Sequence, residues 1–320
     1  MIITVTPNPG LDLTYTLPAA SDADVDVHRA TSSMLEASGK GVNVSRALAK
    51  VGVPTCAVLP AGGPTGRYLA ELLDDEGVAH RITRQAGETR INTTALRPGG
   101  LTVKLNGPGG ALSAAEQDSL LQGTALALEA ATASVEGAAW VAICGSLPPG
   151  VGTQLVVDLV DLAHRHGAKC AVDASGDALT AALSAGADLL APNRGELAEV
   201  NPRARTTGSI EELADAAGAL SRQSRAELLI SLGRDGALYT DGRQALHGFG
   251  PPLTPVNTAG AGDALLAGWL SADAPARTRL ARAISWGRSA CLAATTVDPD
   301  PGQGDTAQIT VLDLTTARSA

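Results

Sequence analysis

Short apolar runs alternate along this chain with longer stretches of helical spacing, and that alternation narrows the fold more than any other feature. Runs of strand length stand at Ile2–Thr6, Thr55–Leu59, Trp140–Cys144, Lys169–Val172, Asp188–Leu190 and Glu227–Ser231, each closed by a turn signal. Between many of them apolar side chains recur at helical spacing, over Val42–Val51, Gly66–Glu76, Ala114–Ala130, Leu155–His166 and Ile210–Ser221. A strand that is apolar at nearly every position must be covered on both faces, and helices crossing over a parallel sheet provide that cover. The chain is therefore expected to be α/β, with a mostly parallel sheet, helices on both faces and right-handed crossovers. Its 320 residues suit one large domain with a small appendage. Aromatics are only 2% of a chain that is 44% hydrophobic, so Ala, Val and Leu have to fill the core.

Two stretches break the rhythm. Leu11–Arg29 contains the alternating Leu13-Thr14-Tyr15-Thr16-Leu17 and then an acidic turn. Ile91–Val103 contains Thr93-Thr94-Ala95-Leu96, a Pro-Gly-Gly turn at 98–100, and Leu101-Thr102-Val103. Both predict hairpin strands that lie off the main sheet. Neither a long linker nor an internal repeat is evident, and only the residues after Leu314 are expected to fray. A formal net charge of −9 argues against a general binder of nucleic acid or membrane surfaces. No apolar run approaches the roughly 18 residues of a membrane span, and Met1–Val5 begins as a strand rather than as a signal peptide. Cys56, Cys144, Cys170 and Cys291 are widely spaced with no C-x-x-C, which predicts small buried hydrophobes in a reduced, cytoplasmic protein. His28, His80, His164, His166 and His247 show no zinc spacing and are assigned no role.

Chemistry is expected at the turns. Val256–Asp263 places Gly260, Ala261 and Gly262 before Asp263 and runs into the apolar Ala264–Leu270. Glycines leave backbone N–H groups uncovered, and a helix start has N–H groups with no internal partner, so the turn makes a site for an anionic oxygen. Asp263 stands beside it as a carboxylate able to take a proton from a hydroxyl. That pairing points to phosphoryl transfer to an alcohol, although an isolated Gly-x-Gly-Asp also fits an acid capping a helix after a flexible turn. Ala37–Arg46 is a second Gly-rich entry to a helix, with Gly39, Lys40 and Asn43. It is not a Walker A loop, because the upstream glycine is missing and Gly41 follows the lysine. It reads equally as a substrate loop or as an ordinary loop-to-helix junction. Lys40 is one of only four lysines.

Asp12 follows the Thr6–Gly10 loop and reads as a turn acid or as an acceptor for sugar hydroxyls. Arg90 and Asn92, two apart, share one face if extended and would suit a sugar phosphate, or a solvated strand edge. Four polar turns follow strands: Gly145–Gly150, Asp173–Gly176, Asn193–Glu196 and Ser231–Gly236. In an open parallel sheet ligands bind beyond the carboxyl ends of the strands, where all four turns are expected to lie together with Gly260–Asp263. Asn193 and Glu196 would order water around a magnesium ion, or Glu196 would simply be a first-turn helix acid.

These pieces, taken in order, resemble the ribokinase-like sugar kinases of the PfkB family, in the branch acting on phosphorylated ketohexoses. The resemblance rests on Thr-Pro-Asn-Pro-x-x-Asp at 6–12, Gly-Lys-Gly-Val-Asn-Val-Ser-Arg at 39–46, Glu-Thr-Arg-Ile-Asn at 88–92, Gly-Ser-Leu-Pro-Pro-Gly at 145–150, Pro-Asn-x-x-Glu at 192–196 and Gly-Ala-Gly-Asp at 260–263. It spans nearly the whole chain. It implies a Rossmann-like, ribokinase-like core over 1–320 with a small β-sheet lid at about 11–30 and 90–104, often used for dimerisation. It implies ATP as donor, Mg²⁺ as cofactor, a phosphosugar as acceptor, and no nucleic-acid or membrane partner. By match to the motifs, Asp263 would be the catalytic base, with Gly260, Ala261 and Gly262 as the anion hole. Asp12, Gly39, Lys40, Asn43, Arg90 and Asn92 would hold the phosphosugar. Asn193, Glu196, Ser231, Gly233 and Gly236 would lie along the nucleotide and metal side.

Three positions depart from the family pattern. Ala191 stands where this branch often carries Lys before the Pro-Asn turn, removing one expected phosphate contact to ATP. Ser38 stands where a further glycine is common, which would narrow the sugar loop. Thr295–Gly304, rich in Asp and Pro, has no match, and contact with adenine or a monovalent cation stays open. Fructose 1-phosphate is the leading acceptor, with tagatose 6-phosphate and fructose 6-phosphate as alternatives. A nucleoside or free-sugar kinase, and a non-catalytic sugar-phosphate sensor, are the readings from other classes.

Overall fold

The structure, a computed structural model, describes residues 1–18, 27–97, 103–134, 139–298 and 300–315. The acidic turn before Arg29, the Pro-Gly-Gly turn at 98–100 and all but one of the residues after Leu314 lie outside them. The chain opens with β1 (Ile2–Val5), β2 (Gly10–Thr16), β3 (Ser32–Ser38), α1 (Lys40–Lys50), β4 (Thr55–Ala61), α2 (Gly63–Asp75) and β5 (His80–Arg84). There follow β6 (Arg90–Leu96), β7 (Val103–Leu105), α3 (Ala114–Ser134), β8 (Trp140–Cys144), α4 (Gln154–Arg165), β9 (Lys169–Asp173), α5 (Gly176–Ser184), β10 (Leu189–Leu190) and α6 (Arg194–Val200). The last third holds α7 (Ile210–Ser224), β11 (Glu227–Ser231), β12 (Ala237–Thr240), β13 (Ala245–Phe249), α8 (Ala261–Leu270), α9 (Ala276–Leu292) and β14 (Thr310–Asp313).

Every apolar run read as a strand is a strand of one large sheet, ordered β14-β13-β12-β11-β10-β9-β8-β1-β4-β5. From β5 to β11 all pairings are parallel. Alternate side chains of one strand enter different cores, as the two-residue repeat of a strand requires. In β8, Val141 and Ile143 join the cluster that includes Leu155, Leu159 and Leu213 from α4 and α7, whereas Ala142 and Cys144 join the cluster of α1, α8 and α9. The mostly parallel, doubly covered α/β architecture is thus as expected. The antiparallel edge β12–β14 was not legible as apolar runs, because its strands are short and follow turns. One signal was present: Asp241-Gly242 between β12 and β13, a hairpin turn sequence, with Gly242 at φ 81°.

The off-sheet stretches contribute β2 and β6 to a separate four-stranded sheet, ordered β3-β2-β6-β7, whose β3 lies beyond the Leu11–Arg29 stretch and whose β7 starts only at the last residue of the other stretch, Val103. β2 pairs antiparallel with β3, and β6 with β7, but β2 and β6 run parallel and in register from Gly10↔Arg90 to Thr16↔Leu96. That register puts Asp12 opposite Asn92. In the main sheet β1 lies between β4 and β8, so the winding direction reverses there, and ligand clefts open at such a point.

A core poor in aromatics has to pack backbones closely. Helices α8 and α9 show how: a Cβ built on Gly268 would come within 2.9 Å of the Ala283 Cα and 3.1 Å of the Arg282 carbonyl. Beside this contact Trp269 is fully buried, stacked at 4.5 Å on Tyr239 and covered by the Arg279 guanidinium at 4.1 Å. Gly268→Ala should therefore force the helices apart and destabilise the protein by about 1–3 kcal/mol, the usual cost of overpacking. In urea titration the midpoint should fall with an unchanged slope; an unchanged midpoint would mean the helices adjust freely.

Candidate active site

Helix α8 sets the centre of the site. Gly260 precedes it at φ 75°, a left-handed conformation, and a Cβ there would come within 2.1 Å of the Thr296 carbonyl, so only glycine fits. No side chain caps the helix, and its first bond runs from the Ala264 N–H to the Gly260 carbonyl. The amides ahead of Ala264 have no partner inside the helix and form a positive, nitrogen-lined start. Asp263 sits in this first turn.

Asp263 is 7% exposed, yet it lines a cleft of about 470 Å³ together with Gly260 and Gly262. Its Oδ2 accepts a 2.8 Å hydrogen bond from Asn43 Nδ2. Burial, and then the negative charge of Asp173, push its pKa up to about 7, against the pull of the Asn43 bond and of Lys40. Asn43 Oδ1 is buried without a hydrogen-bond partner, which suits a ligand donor beside Asp263. Lys40 reaches the same wall, its Nζ donating to Asp173 Oδ1 at 2.7 Å. Burial opposes the ammonium, but Asp173, Asp263 and Glu196 outweigh it and raise its pKa. Lys40 is thus a fixed positive charge.

The small sheet forms the facing wall. Asn92 Nδ2 donates to Asp12 Oδ1 at 2.8 Å, and both line the cleft. Thr94, Lys104 and Asn106 line it too. These three were missed: Lys104 opposite Thr94 becomes a wall residue only through the β6–β7 register. Arg90 does not line the cleft. Its guanidinium donates to the Asn8 carbonyl at 2.8 Å and the Gly107 carbonyl at 3.1 Å, tying two loops together, and its Nε is buried without a partner. Arg90 and Asn92 do share a face, since Asn92 Oδ1 accepts from the Gly107 N–H. Gly39, at φ 126°, is pressed against Thr6 and Pro9, and Ser38 is buried in the pairing with Gly10 rather than on the cleft wall.

Asn193, Glu196, Ser231 and Ala191 complete the cleft at the carboxyl ends of β10 and β11. Asn193 and Glu196 form a capping box for α6: Asn193 Oδ1 accepts from the Glu196 N–H at 2.9 Å, and Glu196 Oε2 from the Asn193 N–H at 2.8 Å. Glu196 is therefore a first-turn helix acid that also lines the cleft. Position 191 contributes only a methyl group. Among the described residues no cluster of three or more His, Cys, Asp or Glu side chains is close enough to cage a metal. Oxygen donors from Asp173, Glu196 and Asn193 nonetheless share the cleft. That set suits Mg²⁺, which keeps several waters and takes further ligands from substrate phosphates.

Past Ser231, Gly262 and Leu265, which line both, lies a second chamber of about 790 Å³. Gly233, Arg234, Gly236, Pro251, Arg288 and Cys291 are among its walls. Cys291 is therefore not a simple core residue, unlike the fully buried Cys144 and Cys170. The described part of Thr295–Gly304 lines neither chamber and packs behind Gly260 and against Ser285 instead. Of the rim turns, Gly145–Gly150 stands aside, with Ser146 accepting from Asn8 Nδ2.

Residues 9–299 match the model of the pfkB family carbohydrate kinases. The chain is 36% identical over 293 residues to a 1-phosphofructokinase of Rhodobacter capsulatus, covering 89% of each chain. It is 35% identical over 241 residues to the ATP-dependent 6-phosphofructokinase isozyme 2 of Escherichia coli, covering 74% of this chain and 75% of the other. The crystal structure of phosphofructokinase-2 from Escherichia coli in complex with substrates and products superposes with a TM-score of 0.86 at 32% identity, over 96% of this chain and 98% of that one.

The raised pKa has a stability consequence. Folded Asp263 keeps its proton up to about pH 7, whereas the unfolded chain releases it in the ordinary aspartate range. Folding stability from this group is thus full below that range and lost as pH rises to about 7. Asp263→Asn has no charge to bury, so its melting temperature should gain on the wild type as pH rises from 4 to 7.5. A difference that is constant across that range would refute the burial of the charge.

Proposed function

The chain belongs to the pfkB family of carbohydrate kinases, and we propose that it transfers the γ-phosphoryl group of ATP to the free primary hydroxyl of fructose 1-phosphate, giving fructose 1,6-bisphosphate. One observation carries the chemistry: a buried carboxylate of raised basicity stands in the first turn of an uncapped helix, inside a cleft that also holds a lysine. Asn43 occupies Oδ2 of Asp263 and leaves Oδ1 for the acceptor's proton. The amides at the start of α8 take the charge that develops on the transferring group, as an oxyanion hole does. Bound Mg²⁺ would neutralise part of the charge on the donor phosphates. Asp173, Glu196 and Asn193 would supply its outer oxygen environment, and Lys40 adds a fixed positive charge. The nucleotide extends along Ser231, Gly233 and Gly236 into the second chamber.

The acceptor's class rests on the sugar-side wall and on the relatives. Lys40 and Lys104 bring positive charge to a cleft whose small-sheet side also offers Asp12, Asn92 and Asn106, a set suited to a polyol carrying a phosphate. The relatives are named as kinases of fructose phosphates. Arg90 acts on the phosphosugar through the loops it ties together. The choice of fructose 1-phosphate over fructose 6-phosphate or tagatose 6-phosphate follows the Thr-Pro-Asn-Pro and Glu-Thr-Arg-Ile-Asn segments.

The whole chain then works as one kinase domain, with the small sheet as the lid that keeps water from the transferring group. We assign the same sheet to a homodimer contact. Alternation along its strands sends Leu13, Tyr15, Ile91, Val103 and Leu105 to the face opposite Asp12, Asn92 and Lys104. Of these, Ile91, Val103 and Leu105 are 42%, 45% and 64% exposed, an apolar face of the kind that covers itself in an oligomer. A related phosphofructokinase-2 from Escherichia coli has a tetrameric inhibited form. Four unpaired cysteines suit a reducing, cytoplasmic setting.

A coupled ADP-release assay over fructose 1-phosphate, fructose 6-phosphate, tagatose 6-phosphate, ribose and adenosine tests the reading. The highest kcat/KM should be for fructose 1-phosphate; preference for ribose or adenosine, or sugar binding with no ADP release, would sink it. Asp263→Asn should lose about 10²–10⁴-fold in kcat, the usual share of a positioned base. Arg90→Ala should raise KM for the phosphosugar far more than it lowers kcat, and an unchanged KM would remove Arg90 from the sugar side.

A further inference from the structure

A buried ionic network lies outside the cleft, between the small sheet, α1 and the segment behind α8. Glu36, in β3, is 7% exposed, and Arg46, in α1, is 3% exposed. Arg46 Nη2 donates to Glu36 Oε1 at 3.3 Å, and Nη1 donates to the Ala37 carbonyl at 2.8 Å. A two-point bond of 2.7 and 2.6 Å joins the same guanidinium to Glu76 beyond the end of α2. Glu36 Oε2 accepts from the N–H and the hydroxyl of Thr296, at 3.2 and 3.3 Å. The carbonyl of that same Thr296 fills the space where a Cβ on Gly260 would stand.

Buried ion pairs are weak sources of stability, because desolvation offsets most of their attraction, and apolar side chains would serve a core as well. Their alternative use is to fix one arrangement of parts. Here the parts are the small sheet, where β3 pairs with the β2 strand that carries Asp12; helix α1, which carries Lys40 and Asn43; and the Thr296 segment that backs the start of α8. We infer that Glu36, through Arg46 and Thr296, is a positioning residue that holds the amides of residues 260–263 in register with Asn43 and the sugar-side sheet. The inference extends the kinase reading, since the register it fixes is that of acceptor, base and anion cradle.

Glu36→Gln keeps the shape and removes the charge, leaving an amide that cannot satisfy both Arg46 and the two Thr296 donors. Amide hydrogen exchange over 264–267, whose N–H groups bond back into the first turn of α8, should quicken in the ligand-free variant, while β8–β11 keep wild-type protection. Turnover should fall about 10- to 100-fold, as expected for misplacement at a reacting centre, with both KM values little changed. Thr296→Val, which loses one donor, should move both readouts the same way by less. Exchange at 264–267 equal to wild type in folded Glu36→Gln, or a loss of melting temperature with kcat intact, overturns the inference. Should Glu36→Gln fail to fold, Thr296→Val decides by the same two measurements. The exchange readout needs no sugar, so it tests the positioning role even if the acceptor is not fructose 1-phosphate.

Discussion

A carboxylate kept out of water at the start of an uncapped helix is the constraint to which the rest of the site answers. Charge at Asp263 is disfavoured by burial and by the neighbouring Asp173, and is made tolerable by Asn43 and Lys40. Those groups come from distant parts of the chain: Lys40 and Asn43 enter on α1, Asp173 ends β9 and Asp263 opens α8. The parallel sheet brings them together because its strand order reverses at β1, which leaves the carboxyl ends of distant strands on one rim. A base that is hard to ionise is also a better acceptor near neutral pH, so the stability cost and the chemistry share one cause.

The same balance explains why the cleft is crowded with opposite charges. Lys40 is held by Asp173 rather than left free, so its ammonium stays on the wall. An anionic donor that reached this wall would compete with Asp173 for Lys40, and the freed carboxylate would then face whatever cation accompanied the donor. Ala191 contributes only a methyl group, so the cleft's positive field comes from Lys40 and Lys104. On the far side, Arg90 spends its guanidinium on two backbone carbonyls and so shapes the wall instead of standing on it.

Packing with few aromatics sets the scale of precision. Small side chains let α8 and α9 approach until Gly268 meets the backbone of Ala283, and that pair carries Asp263 at one end. Gly260 is fitted just as tightly against Thr296. Such contacts have little slack, so a buried network like Glu36–Arg46–Glu76 acts on the cradle through a stiff medium.

Much was legible in the residues because their signals are local. The near-continuous apolar runs, alternating with helices, set a parallel sheet, because crossover helices cover both faces of such strands. Gly260, Gly262 and Asp263 mark an anion site with an acid because glycine and a helix start expose N–H groups whatever surrounds them. What the sequence could not decide were relations between distant strands: the parallel register that faces Asp12 with Asn92, the pairing that brings Lys104 to the cleft, and the turn of Arg90 away from it. Side-chain spacing within one strand says which residues share a face, but only tertiary packing says what that face meets. The basicity of Asp263 is of the same kind, because desolvation and the field of Asp173 exist only once the chain has folded.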